Sequence, residues 1–597
     1  MLWRAGVGFP GGRPVRRETA LFLGGLATLL VVLAVEPYIS FSLFGSDSGE
    51  YYTLTHALVS TGHLPHGAAY VGWGTAYPDF PGIFLLSGAG SGALGIDPFS
   101  ALTIIIPVVS ALSVFPLFLL FRRLYAHDSI ALLGAAFASV AMPRMFSIAH
   151  PAPLALGDFL CVAAIWLFVE TRRDSRFYLP LVLASGALIV THHLSSFMFV
   201  LSALGSLLLL ELWRPGLWSR RFPTRELGFI AAFITATLSY WFYGTSSFVA
   251  TVIAPGLGGD ALAGFAALEA LGLAGVGVAG LVLYWRRGAF RPRRTWVRMP
   301  SDRSLVRDMV ILAALIFGGI ATVLFIPLPG TSQLTSPMAI LWFAPVLGMG
   351  ILTAGSRRAP TASRLGPLSL TMATALGIGA ALTLLATYYL SSTSGFVEAI
   401  PASRYVEYLF IPIGLLAAIG VGALVARAGE RGGRRALVAA SLGVVLLVAA
   451  NAAIVYPPQA NFGGFQEGYP PGDAALWQWV SIGVPQNQVI ASSHPLSSAV
   501  FGFDGNRATW GSTPALFTGS NWTSAAAELR SSDAPHSPFP IDVVIVDSVM
   551  YGGVALDPSA AALPLSPAAI AWFEHAPFLV LYESGQDVTY LVDAAYE

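Results

Sequence analysis

The sequence predicts a polytopic α-helical membrane protein of about 13 transmembrane helices with a C-terminal external α/β domain. Three observations carry this. The mean hydropathy is +0.69, with 55% hydrophobic and only 11% charged residues, whereas soluble domains carry about 25% charge. The apolar runs are long enough to cross a bilayer. The chain also contains no lysine, so its 32 basic residues are all arginine, and their placement is one-sided. If spans alternate from a cytoplasmic N-terminus, 28 of the 32 arginines fall in the N-terminal arm and the even-numbered gaps. This is the positive-inside pattern. The formal net charge is zero, which gives no sign of nucleic-acid binding.

The spans lie near 19–38, 99–121, 129–148, 153–170, 177–192, 194–212, 227–244, 263–285, 308–327, 337–354, 367–390, 405–426 and 436–455. The first has no small-residue cleavage site and reads as a retained anchor. The pairs Arg122-Arg123, Arg172-Arg173, Arg220-Arg221, Arg357-Arg358 and Arg434-Arg435 mark the cytoplasmic side. The loop Arg286–Arg307 holds eight arginines, which read as a topology anchor or as a contact for anionic membrane lipids. Cys161 is alone, so no intramolecular disulfide is possible, and it reads as a packed small apolar residue.

Two regions fall on the opposite, external face. One is the loop 39–98, the first large external loop of a transmembrane domain over 1–455. The other is an external domain over 456–597. In that domain 487–491 and 541–546 read as buried strands, and 578–582 and 588–592 flank a hairpin turn at Ser584-Gly585-Gln586. Residues 474–480 and 567–575 read as helices, and Asn521-Trp522-Thr523 forms a glycosylation sequon.

The external loop holds the candidate chemistry. Asp47 follows the first span directly, so it sits near the membrane surface, with Glu50 and Tyr51 on the same face of a helix starting near Ser46. Asp47 reads either as that helix's N-cap or as a functional carboxylate. Gly62, Pro65, Tyr77, Pro78 and Asp79 follow; Asp79 reads as a turn residue or a second substrate contact. His56, His63 and His66 match no closed zinc spacing. On the external side, His150, His192 and His193 come at the ends of spans three to six, without a nearby carboxylate in sequence. Two arginines of the membrane part, Arg144 and Arg404, also fall there.

Asp47, Tyr51, Gly62, Pro65, Tyr77 and Pro78 resemble, in order and spacing, the first external loop of GT-C glycosyltransferases. The likeness is to the protein O-mannosyltransferases and aminoarabinose lipid A transferases. Thirteen spans and an external C-terminal domain are similar to the oligosaccharyltransferase catalytic subunits. The resemblance implies a GT-C-like fold and transfer of a sugar from a polyprenyl-phosphate donor to a protein, glycan or lipid acceptor on the external face of the cell membrane. Asp47 would be the base, and Arg404 and Arg144 would clamp the donor phosphate. Glu50, Tyr51, Tyr77, Asp79, His150, His192 and His193 would line the substrate site. The bland readings of the arginines are an interfacial anchor or an ion pair with Glu398 or Glu407 for Arg404, and snorkelling for Arg144.

The chain departs from the oligosaccharyltransferases at two places. No Trp-Trp-Asp motif occurs in the C-terminal domain, and Ser147-Ile148-Ala149-His150-Pro151 stands where a second acidic motif is expected. Metal-independent transfer of a single sugar therefore fits better, with no cofactor. The alternatives are a transporter or flippase for a lipid-linked substrate, and an inactive GT-C-like scaffold. The spans show almost no intramembrane acids for ion coupling, which speaks against transport.

The arginine split makes one direct prediction. With Cys161 replaced, a cysteine introduced at position 520 should react with an impermeant thiol reagent on intact cells. Labelling only after permeabilisation would invert the topology.

Overall fold

The structure is a computed structural model. It describes residues 15–66, 69–125, 128–141, 148–171, 174–213, 223–250, 261–289, 461–462, 465–531, 540–554 and 563–593, with scattered positions between 408 and 452. Five helices among the described residues are long and apolar enough to cross a membrane: Arg17–Ser40, Pro98–Arg123, Pro153–Thr171, Thr224–Gly244 and Gly433–Ala450. Shorter apolar helices lie between them. The spans expected at 308–327, 337–354 and 367–390 lie outside the described residues, as do Arg144 and Arg404.

Through residue 289 the described helices follow the apolar runs closely, with one difference. The run expected as a single span over 99–121, the stretch Pro98–Arg123 counted above, is interrupted at Leu112-Ser113 between helices Pro98–Ala111 and Val114–Tyr125. Pro107 lies inside the first, where its ring denies the helix one backbone donor. Asp97 starts that helix by accepting from the Ser100 amide at 2.9 Å.

Hydrophobic association is weak between helices in lipid, so close backbone approach matters. Gly134 and Ala138 supply it: a Cβ on Gly414 of the twelfth span would meet the Gly134 carbonyl oxygen at 2.6 Å. Arg122 bonds Asp128 at 2.8 Å and Arg123 bonds Glu170 at 3.4 Å. Both ion pairs lie at one end of the bundle, and the loop carrying Asp47 lies at the other.

About half of the long loop 39–98 is helical. Helix Ser48–Thr61 closes at Gly62 (φ +79°), whose amide donates to the Leu58 carbonyl. A left-handed cap of this kind favours glycine. The apolar stretch after it forms helix Gly82–Leu94, which packs on both Ser48–Thr61 and Pro98–Ala111.

The C-terminal residues build a five-stranded sheet. In chain order we number the strands β1 (Leu43–Phe44), β2 (Gly468–Tyr469), β3 (Val489–Ala491), β4 (Arg507–Ala508), β5 (Val543–Val546), β6 (Phe578–Ser584) and β7 (Asp587–Val592). The sheet order is β4-β3-β5-β7-β6, with β3 parallel to both neighbours and β6–β7 an antiparallel hairpin. Helices Pro471–Gly483 and Pro567–Phe573 lie where the sequence places them. The sequon's Asn521 is the N-cap of helix Trp522–Arg530, accepting from the Thr523 amide at 2.9 Å.

Of two short antiparallel pairs outside this sheet among the described residues, one joins Asn461–Phe462 to Phe465–Gln466, and the other, β1–β2, joins the membrane loop to the C-terminal region. Leu43 pairs with Tyr469 and Phe44 with Gly468. Beside it, helix Ser48–Thr61 packs against the turn Val500–Asp504. A Cβ on Gly49 would fall on the Ser498 carbonyl oxygen, and one on Gly502 would fall on Gly49. Gly49→Ala should therefore destabilise this seam by about 1–3 kcal/mol, the usual cost of overpacking. Thermal unfolding in detergent would read it, and an unchanged midpoint would show that the seam yields.

Candidate functional site

Asp47 occupies the N-cap position of helix Ser48–Thr61, yet its side chain makes no capping bond. The cap reading of Asp47 therefore fails. Its carboxylate turns away and is held from three directions. Oδ2 accepts from the Tyr77 hydroxyl at 2.7 Å and from the Tyr51 hydroxyl at 3.4 Å. Oδ1 lies 2.8 Å from Nε2 of His494, a residue of the C-terminal sheet region. A carboxylate only accepts, so this contact puts the proton on Nε2. The Tyr51 and Tyr77 rings meet edge to face at 5.0 Å, which fixes both hydroxyls.

Burial pushes the Asp47 carboxyl upward, but the His494 hydrogen bond and charge, the Tyr77 hydroxyl and the nearby His150 outweigh it. The carboxyl ends below its ordinary value. It is therefore an ionised group at neutral pH, with 16% of its side chain still exposed.

Glu50, three residues on, behaves oppositely. It is fully buried, its Oε1 accepting from the Tyr70 hydroxyl at 2.7 Å and from the Gly74 amide at 3.1 Å. Burial and the neighbouring Asp47 charge push its carboxyl up to about 8. Two acids one helical turn apart thus hold different charge states, which is how environment divides roles between carboxyl groups.

The three histidines named from the sequence have three different surroundings. His150 stands 3.8 Å from Glu467, so a carboxylate does lie beside it, contrary to the reading from sequence spacing. Glu467 arrives from just before β2, and its Oε2 accepts the Ser46 amide at 2.8 Å. His192 Nδ1 contacts the Ser195 hydroxyl at 2.8 Å, which in turn meets the Tyr408 hydroxyl at 2.7 Å. His193 packs among Phe80, Trp241 and Phe248.

Asp79 is a tether. Its Oδ2 accepts the Phe248 amide at 2.9 Å and its carbonyl accepts the Tyr240 hydroxyl at 2.6 Å. Those bonds fasten the loop to the end of helix Thr224–Gly244. His56, His63 and His66 are exposed, as a solvated loop requires.

His494, Glu467, Tyr469 and Tyr70 were not legible as site residues. The Tyr469 hydroxyl lies 2.9 Å from the Ser46 carbonyl and 2.8 Å from that of Pro495, spanning the seam. One signal did point to His494: it follows a predicted buried strand by three residues, and open α/β sheets place ligands beyond their strands' carboxyl ends. A second group of buried acids, Asp473, Asp547 and Asp587, lies behind Tyr469. Burial and mutual repulsion raise the Asp473 and Asp547 carboxyls. Among the described residues no group of three or more His, Cys, Asp or Glu side chains is arranged to hold a metal ion.

No family profile and no curated protein matches the sequence. The fold does match solved structures. One is the Archaeoglobus fulgidus oligosaccharyltransferase tethered with an acceptor peptide containing the NVT sequon. Its TM-score is 0.55 at 12% identity, over 90% of this chain and 70% of that one. Another is the archaeal oligosaccharyltransferase AglB from Archaeoglobus fulgidus in complex with an inhibitory peptide and a dolichol-phosphate. It has a TM-score of 0.56 at 11% identity, over 89% and 70%. A looser likeness, TM-score 0.38 at 13% identity over 96% and 98%, is to ArnT from Cupriavidus metallidurans bound to undecaprenyl phosphate; it carries no weight. The chain thus has a GT-C-like fold.

The state of Glu50 can be tested through stability. The folded chain holds a proton that an unfolded glutamate releases near 4.5, so this group's contribution falls as pH rises from there through about 8. Glu50→Gln should keep the Tyr70 and Gly74 bonds and flatten the loss of thermal stability between pH 6 and 9. An identical pH slope in variant and wild type would mean that Glu50 is ionised.

Proposed function

We propose that the chain is a membrane glycosyltransferase that moves a sugar from a polyprenyl-phosphate-linked donor to an acceptor on the external face. The observation that carries this reading is Asp47: an ionised, partly accessible carboxylate held by three side-chain contacts at the end of the first span. The GT-C-like fold, seen in structures that hold a dolichol-phosphate or an acceptor peptide, supports the same reading.

In the reaction, an acceptor hydroxyl attacks the anomeric carbon and its proton passes to Asp47. The bond from that carbon to the phosphate oxygen breaks, and polyprenyl phosphate leaves with the electron pair. Charge growing on the phosphate needs fixed cations. Arg404 and Arg144 are assigned that task. Tyr408, four residues after Arg404 in sequence, touches Ser195 beside His192, which supports a phosphate site near this contact. Glu50, neutral and bonded to the 70–74 loop, shapes the wall behind Asp47. Tyr51 and Tyr77 orient the carboxylate, and no step calls for a metal.

Asp47→Asn keeps the shape and loses the base. It should lower transfer by roughly 10² to 10⁴-fold, the usual range for such a group, without lowering thermal stability to match. Dolichyl-phosphate mannose and dolichyl-phosphate glucose are suitable probe donors, with released dolichyl phosphate as the readout. Equal release by variant and wild type would remove Asp47 from the chemistry and favour a transporter or an inactive scaffold.

A further inference from the structure

We propose that His494 is a positioning residue for Asp47, so that the C-terminal sheet supplies part of the transfer site rather than merely covering it. The inference rests on the functional reading of Asp47 given above. It starts from geometry: Nε2 of His494 lies 2.8 Å from Asp47 Oδ1 across a separation of 447 residues, and the imidazole side chain is wholly buried.

A buried histidine is often only a packed ring, but three features set this one apart. It opens helix His494–Ala499, three residues beyond the end of β3, the edge where open α/β sheets bind ligands. Its ring sits edge to face with Trp73 at 4.9 Å and is tilted against Trp510 at 5.5 Å. Trp73 belongs to the membrane loop and Trp510 to the C-terminal sheet, so aromatic walls from both sides set the angle of the imidazole. Finally, its donor points at Asp47, an ionised carboxylate with part of its side chain still accessible.

The consequence for transfer is twofold. The bond fixes the plane of the carboxylate, leaving a lone pair of Oδ1 for the acceptor hydroxyl, since Oδ2 already takes Tyr77 and Tyr51. It also favours the ionised carboxylate over the protonated one, which keeps Asp47 able to accept a proton in mildly acidic surroundings. The other titratable groups around Asp47 are Glu50 and Tyr51 on its own helix, and Tyr70 and Tyr77 on the loop. His150 faces it from the membrane bundle, and Glu467 and Tyr469 from the C-terminal strand. Among the groups that favour the charged form of Asp47, the His494 hydrogen bond leads, ahead of the Tyr77 hydroxyl and His150, so removing His494 takes away the main one.

The test is the pH profile of transfer by the full-length protein in detergent, with dolichyl-phosphate mannose and dolichyl-phosphate glucose as probes. His494→Asn removes the donor from the Nε2 position, while His494→Gln returns an amide N–H close to it. His494→Asn should lower transfer about 10-fold or more, the loss expected for a hydrogen bond to a charged group. The acidic limb of its profile should move to higher pH, because Asp47 then protonates more readily. His494→Gln should recover part of the rate. A merely structural histidine would change the yield of folded protein and leave the limb where it was.

An unmoved limb in folded His494→Asn, with Asp47→Asn still inactive, overturns this inference alone. Transfer that survives Asp47→Asn overturns the functional reading and this inference together. A thermal-unfolding cycle of Asp47→Asn, His494→Asn and the double variant gives a check independent of activity. Non-additive shifts at neutral pH that fade in acid support the pair; additive shifts overturn it.

Discussion

Everything around Asp47 depends on one seam, the antiparallel pairing of Leu43–Phe44 with Gly468–Tyr469. Two residues a side is a minimal sheet, and alone it would be marginal. It holds because it is surrounded. Gly49 and Gly502 let two backbones meet without side chains between them, and Tyr469 contacts carbonyls on both sides. The Glu467 carboxylate takes the Ser46 amide that would otherwise be lost at the turn. Packing and hydrogen bonding thus coincide along a few residues, and the carboxylate of Asp47 is aimed by the same contacts that fasten the two parts of the chain.

The seam also explains the opposite fates of two acids on one helix. Asp47 meets the donors of Tyr77 and His494 and stays charged, whereas Glu50 is closed in by Tyr70 and the 73–74 backbone with a negative neighbour. Burial, with the Asp47 charge beside it, therefore costs Glu50 its charge. The neutral Glu50 in turn avoids placing two negative charges where an anionic phosphate would have to approach.

Much of the fold was legible in the sequence, because bilayer thickness and arginine placement act over long stretches. Strands such as Val543–Val546 and the 578–592 hairpin were legible because period-2 patterning and a glycine turn are local signals. The break between Pro98–Ala111 and Val114–Tyr125 was hidden inside an unbroken apolar run, since hydropathy does not register a two-residue turn at Leu112-Ser113. At the site, Asp47 and its two tyrosines were found because all lie in one loop. His494 and Glu467 were not, because a contact across more than four hundred residues leaves no periodicity to read. The spacing argument failed for His150 for the same reason: the carboxylate beside it comes from the far end of the chain.

The 447 residues between Asp47 and His494 also set a clock. At the usual 5–20 residues per second of synthesis, His494 is made about 20–90 s after Asp47. Throughout that interval the first loop already lies on its side of the membrane while its partner strand does not yet exist. A half-made chain therefore displays the carboxylate without the imidazole that aims it, and β1 without its mate. The order of synthesis keeps the site incomplete until the segment around His494 has been made, so that the first loop cannot finish its site ahead of the C-terminal region.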